Sequence, residues 1–323
     1  MSGLNTIPEL HPAAGRLLAL AAEVDPGPAA RARSVIARAA EAIGEHARRE
    51  SSTLSRTGFG LEVAFASADR FALRYTTEVA PPSVPPAVRV ARGRSLFEEL
   101  HGAPLPVPLG ALVEETASAE ALKFGAWLGA RHSAAGDAFK LYVETPPPAA
   151  ARWERLCLPP ATTWNPAATL HMAGFDGERV ELYFRAESLG AIGLEAALER
   201  IGLGARAGDV FDCFSRACGR PVSGSFPVAD TGYSYSVSLS GGAPRFSSYV
   251  FAHSLFGGDG RIREAILRFA RASGWRFPLY ETISAPLQSS RGFLTHHGMF
   301  GVVVSGEEPP AITFGLTPPE ART

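Results

Sequence analysis

The chain is short of the residues on which several function classes depend. Its three cysteines, Cys157, Cys213 and Cys218 among 323 residues, have neither zinc nor redox spacing. An odd number does not suggest a disulfide framework, and a reducing cytoplasm is the compartment that fits. Charge of one sign is also missing. With 31 basic and 32 acidic side chains the formal net charge is -1, which gives no global attraction to nucleic acid or to an anionic membrane. No stretch approaches ~20 uninterrupted apolar residues, and Met1 to Glu9 carries no basic segment followed by a long apolar run, so neither membrane spanning nor secretion is expected. There is no P-loop and no GxGxxG on a strand-to-helix turn. No DDxxD-like cluster is present; Asp209-Val210-Phe211-Asp212 is an isolated DxxD on a predicted helix and reads as a solvated face. Small molecules remain the expected partners, with no cofactor and no metal.

What the chain does have is a repeated strand with two unlike faces. In the segment from Arg179 to Arg185, Val180, Leu182 and Phe184 are apolar, while Arg179, Glu181, Tyr183 and Arg185 are ionisable. One such strand is commonly a solvated face. The device recurs, however: Phe139, Leu141 and Val143 alternate with Lys140, Tyr142 and Glu144, and Phe71, Leu73 and Tyr75 alternate with Ala72, Arg74 and Thr76. Recurrence makes it architecture.

Two helices are predicted between Pro12 and Glu50, broken at Asp25-Pro26-Gly27-Pro28. The first hairpin runs from Gly60 to Ala66 and back from Arg70 to Glu78; the second pairs Leu122–Arg131 with Ala138–Thr145. A third joins Thr169–Ala173 to Arg179–Ala186. The fourth pairs Tyr233–Leu239 with Arg245–Ala252 across Ser240-Gly241-Gly242, and the last pairs Phe293–Val304 with Ala311–Leu316. Helical segments separate the hairpins, among them Arg94–Leu100, Leu109–Glu120, Ala149–Leu156, Leu189–Ile201, Asp209–Cys218 and Gly260–Ser273.

Five hairpins give ten antiparallel strands, and covering the apolar faces with helices removes the exposed edges if the sheet closes. The expected fold is therefore α+β: one domain spanning residues 1–323, a ten-stranded antiparallel β-barrel with a polar lumen, surrounded by α-helices. A polar interior is costly to bury and implies a bound ligand.

This order of elements resembles the ABBA aromatic prenyltransferases, whose αββα repeats enclose a ten-stranded barrel. The residue pattern is more similar to their indole, or dimethylallyl-tryptophan synthase, branch, which carries an acidic residue on the first strand and basic-x-Tyr pairs on returning strands. Here those positions read Glu62, Arg74, Lys140-Leu141-Tyr142, Arg179-Val180-Glu181-Leu182-Tyr183 and Ser247-Ser248-Tyr249. The resemblance implies metal-independent transfer of a dimethylallyl or longer prenyl group from its diphosphate to an electron-rich aromatic acceptor, such as an indole or a peptide derivative. The competing reading is a non-catalytic barrel that binds an aromatic or isoprenoid ligand.

On the resemblance, Arg74, Lys140 and Arg179 hold the diphosphate through charge-assisted hydrogen bonds; the alternative is that each pairs with a lumen carboxylate such as Glu144 or Glu181. Tyr142, Tyr183 and Tyr249 shield the allylic cation, or else pack with satisfied hydroxyls. Glu62 accepts a hydrogen bond from an indole N–H, against the alternative of pairing with Arg70 or Arg74. Lys123, in phase with Gly125 and Trp127 on an outgoing strand, is the candidate base for the ring proton, or a solvated strand-end lysine. Trp127 walls the acceptor site, or fills space. His171, His296 and His297 are weaker candidates. Two departures stand out: Glu181 occupies a place where relatives often carry a basic residue, and Ala311-x-Thr313-x-Gly315 lacks their usual last-strand tyrosine.

Overall fold

A computed structural model describes residues 10–43, 52–119, 122–160, 168–187, 189–224, 226, 231–290 and 294–319. The chain opens with helices α1 (Pro12–Val24) and α2 (Pro26–Ile43), divided at Asp25. Hairpin β1 (Leu61–Ala66) and β2 (Leu73–Glu78) follows, then α3 (Pro86–His101) and α4 (Val107–Ala117). The second hairpin is β3 (Ala126–Ser133) and β4 (Gly136–Glu144), followed by α5 (Pro147–Cys157). Next come β5 (Ala168–Phe175) and β6 (Arg179–Ala186), then α6 (Ala191–Glu199) and α7 (Ala207–Cys218). The fourth hairpin, β7 (Thr231–Ser238) and β8 (Arg245–Phe251), leads into α8 (Ala252–Phe256), α9 (Asp259–Ala272) and α10 (Pro278–Ile283); β9 (His297–Ser305) and β10 (Ala311–Leu316) end the fold. A proline in the first turn starts α1, α3, α4, α5 and α10, where its missing N–H costs nothing.

The ten strands form one closed antiparallel barrel in sequence order, with β10 returning to pair β1 through Val63–Leu316 and Phe65–Phe314. Closure leaves no strand with a free edge. Because every hairpin is a simple up-and-down pair, all five hairpin tips lie at one rim and the helical connections leave from the other.

Alternation decides which side chains meet the helices. Val63, Leu128, Val180, Leu182, Phe184, Phe246, Phe300 and Ile312 are fully buried on the outer face. There α2 packs on β2 and β3, α3 on β3 and β4, α5 on β5 and β6, and α7 on β9. The hydrophobic core is thus a shell between barrel and helices, and the barrel axis is free to be polar. Parity outranks residue type: Tyr75, Tyr233 and Tyr235 point outward into this shell, where the Tyr235 hydroxyl donates to the Ala197 carbonyl at 2.9 Å.

Several predicted boundaries shift. Phe71 lies in the turn and is 67% exposed, so the returning strand starts at Leu73 instead of Arg70; Ser67 to Asp69, ahead of it, form a short 3₁₀ turn. The outgoing strand of the second hairpin starts at Ala126 instead of Leu122. Gly125 has φ +73°, and a Cβ there would overlap the Pro86 carbonyl, so the chain turns sharply into β3 and the alternation does not extend back to Lys123. Residues 44–50 of the second predicted helix, residues 1–9 and Phe293 fall outside the described residues. The short helices α8 and α10 went unpredicted, being too brief to show a period.

Candidate functional site

Inward-pointing residues line a lumen that water still reaches. Lys140 and Glu181 keep 18% and 17% of their side-chain surface although they lie deep in the molecule, while Leu141 and Val180, their neighbours on the same strands, are at 2% and 0%. The free surface of the polar residues therefore belongs to the barrel interior.

The half of the lumen nearest the hairpin tips is cationic. Arg74 on β2 and Arg131 on β3 are directly opposed across the two strands. Both contact the same oxygen of Asp69, at 2.9 and 2.7 Å. Lys140 on β4 makes an ion pair with Glu181 on β6 and donates to the Tyr183 hydroxyl at 3.1 Å. Burial alone would lower the Lys140 pKa; the Glu181 carboxylate, with Tyr142, more than offsets it and holds the ammonium above its ordinary range. Glu181 shows the converse, burial opposing ionisation and Lys140 with Ser234 overcoming it, so its carboxyl sits below the ordinary range. Arg179 turns toward the fourth hairpin: its guanidinium donates to Ser236 Oγ at 2.8 Å, to the Ser236 carbonyl at 2.7 Å and to the Ala243 carbonyl at 2.9 Å.

Mid-barrel, three tyrosines form a chain of faces. Tyr142 and Tyr183 have centroids 5.9 Å apart, Tyr183 and Tyr249 6.4 Å. The Lys140 ammonium lies 5.2 Å from the Tyr142 ring and 5.5 Å from Tyr183, so these faces already receive a cation. Burial, reinforced by Glu181, keeps the Tyr183 and Tyr249 hydroxyls protonated.

At the far half stands Glu62. Among the described residues it has no hydrogen-bond or ion-pair partner; Arg74, one of its two expected counter-ions, is taken by Asp69. Burial alone pushes its carboxyl up to about 7. The backbone makes room for it: β9 and β10 carry a bulge where Phe314 pairs Phe300 but Leu316 pairs His297, and a Cβ at either Gly298 or Gly315 would overlap the Glu62 carboxylate. The same seating recurs elsewhere, since a Cβ at Gly232 would overlap the Tyr249 ring.

Trp127, inward on β3 and opposite Tyr142, stacks on Phe124 at 4.0 Å with 9° between planes. Its Nε1 is enclosed without a hydrogen-bond partner. Glu144 accepts from the backbone N–H groups of Lys123, Phe124 and Gly125 at 2.8, 2.8 and 3.1 Å, pinning the loop that carries Phe124. Lys123 itself is exposed on this loop ahead of β3, which corrects its placement on the strand. His297 faces the outer shell, bonded to Asp259 at 2.6 Å and Tyr280 at 2.9 Å.

The structure thus brings Glu62, Arg74, Lys140, Tyr142, Tyr183, Tyr249 and Trp127 to one lumen, directs the Arg179 guanidinium to a hairpin tip and leaves Lys123 at the loop. Sequence reasoning overlooked Asp69, Arg131, Ser234, Ser236 and the glycine seats. Arg131 was within reach, sharing the period of Trp127 and Gly129; the glycines carry no chemical signal of their own.

By sequence no family model and no curated protein matches the chain. Solved structures do match over nearly its whole length. A 6-dimethylallyl tryptophan synthase superposes with a TM-score of 0.74 at 18% identity, covering 99% of this chain and 100% of that one. The fold is that of the indole prenyltransferases. The 5-dimethylallyltryptophan synthase of Streptomyces coelicolor gives 0.73 at 15% identity over 96% and 97% of the two chains, and AnaPT of Neosartorya fischeri 0.67 at 13% over 98% and 97%. A closed ten-stranded barrel is the architecture expected from the five hairpins, and the prenyltransferase fold is the one the resemblance implies. Among the described residues no helix is long and apolar enough to cross a membrane, and no cluster of three or more metal-ligating side chains occurs.

Proposed function

We propose that the protein is an aromatic prenyltransferase that moves a dimethylallyl group, or a longer prenyl group, from its diphosphate to an electron-rich ring, an indole such as tryptophan or a peptide derivative of it. The observation that carries this reading is the division of one lumen into a cationic half, a tyrosine belt and a half with a lone carboxylate. Ionisation breaks the bond from the allylic carbon to the diphosphate oxygen, whose electron pair leaves with the diphosphate. Arg74 and Lys140 offset that charge, and Arg179 supports the rim behind them. The tyrosine faces stabilise the allylic cation and exclude the water that would quench it. The ring's π electrons then form the new carbon–carbon bond, and the ring proton leaves.

Glu62, ionised, accepts the indole N–H and stabilises positive charge developing on the ring; Trp127 walls the same end. Lys123, on the loop pinned by Glu144, is the proposed acceptor of the ring proton. Related complexes support the assignment: the 6-dimethylallyltryptophan synthase of Micromonospora olivasterospora was solved with DMASPP and Trp, and PriB with product diphosphate.

The test is incubation with dimethylallyl diphosphate and a panel of indoles, with and without excess EDTA, and mass spectrometry of the products. A prenyl adduct formed equally in both arms is expected. Donor binding without any adduct would favour the non-catalytic ligand-binding barrel, and loss of turnover in EDTA restored by magnesium would overturn ionisation by the basic lumen.

A further inference from the structure

We propose that Arg131 and Arg74 together form the seat for a phosphate group of the donor, with Asp69 as the internal anion that occupies this seat in part and competes for it. The inference rests on the reading of the lumen as a prenyl diphosphate site, and it moves the centre of that site. Lys140 is committed to Glu181, and the Arg179 guanidinium to Ser236 and Ala243. The β2–β3 side is different. Two guanidinium groups stand directly opposite each other and share one oxygen of one carboxylate, so the cluster keeps an excess positive charge.

Its hydrogen-bonding capacity is also unspent. Arg74 Nε is enclosed without an acceptor, and Arg131 Nε, although 2.7 Å from Asp69, lies out of line for a hydrogen bond. A phosphate supplies what is missing: more negative charge than a carboxylate, and several oxygens placed to meet two planar forks at once. The seat is open to a ligand, since the side chains of Arg74 and Arg131 are 33% and 41% exposed and Asp69 26%. It also adjoins Lys140, which pairs with Gly129 two residues along β3 from Arg131, so three cations line three consecutive strands. Arg131 thereby supplies on β3 the positive charge that Glu181 removes from β6.

Calorimetric titration of the full chain with inorganic pyrophosphate, without acceptor and without metal, tests the seat. Replacing a charged fork that donates to an anion should weaken binding about 10- to 100-fold in Arg131→Gln. Asp69→Asn should strengthen it about 3- to 10-fold at low salt, with the gain shrinking at high salt as charges at the rim are screened. A purely structural Arg–Asp–Arg cluster predicts the opposite for Asp69→Asn, a less stable protein with no gain in affinity. Should Arg131→Gln fail to fold, Arg131→Lys retains the charge, loses the fork and should show an intermediate loss. The proposal is overturned if wild-type protein does not bind pyrophosphate, or if Arg131→Gln binds within twofold of wild type. Pyrophosphate binding that depends on Arg131 in a protein forming no prenyl product would leave the seat and remove the transferase reading; product formation unaffected by Arg131→Gln would do the reverse.

Discussion

Glu62 is a residue whose environment works against its charge. Its folded carboxyl, at about 7, lies above the ordinary 4.5 because burial disfavours the anion. The folded state therefore holds the proton more tightly than the unfolded chain. The stability this proton lends is complete below about pH 4.5 and is lost as pH rises through about 7. Above that, the ionised group costs on the order of 3 kcal/mol. Glu62→Gln should raise Tm at pH 8 and leave it nearly unchanged at pH 4, measured by calorimetry. The same substitution should lower prenyl transfer severely with donor affinity nearly intact, because a neutral amide is the weaker acceptor for an indole N–H. In wild type the rate at limiting acceptor should climb with pH and level off above about 7, and in Glu62→Gln that inflection should vanish. A variant that loses donor binding but keeps acceptor affinity would place Glu62 in the phosphate network instead.

Pairs of strands set the next level. Lys140 reaches Glu181 by passing over Gly174 on the intervening β5, where a Cβ would strike its chain. Removing one partner leaves a charge deep in the lumen, so Lys140→Met should destabilise by about 3 kcal/mol, whereas Lys140→Met combined with Glu181→Gln should recover most of the loss. Urea unfolding of the two singles and the double closes this cycle. The bulge between β9 and β10 makes a comparable demand. Gly315→Ala drives a methyl group against the Glu62 carboxylate, and overpacking of this kind costs about 1–3 kcal/mol. Acceptor KM should rise at least tenfold while pyrophosphate affinity stays put; an unchanged KM would mean that Glu62 is not seated there when it works.

For the whole molecule, closure is the decisive event. β10 pairs β9 on one side and β1 on the other, although β1 lies some 250 residues earlier in the chain. A chain ending at Pro310 would leave β1 and β9 as open edges, bared to pairing with other molecules. It should be recovered as aggregate, or elute as large assemblies in size-exclusion chromatography, where the full chain should elute as a single compact species. A monomeric truncation with retained strand content would show that the remaining nine strands manage their edges without the tenth.

How much of this was legible in the sequence follows from what a period can carry. Alternation of Val180, Leu182 and Phe184 with Arg179, Glu181 and Tyr183 depends only on the pleat, so it gave strand, face and hairpin order, and with them the barrel, its helical coat and the inward direction of the tyrosines. The partner of each charge was beyond its reach. Glu181 meets Lys140 two strands away, Arg74 meets Asp69 in its own hairpin turn, and Lys123 leaves the strand because Pro86, far off in sequence, approaches Gly125. Local pattern by itself determined which face of each strand turns inward. Only the closed barrel decided which of them are neutralised and which stand free, because that depends on distances across strands, and electrostatic energy in a low-dielectric interior is set by distance.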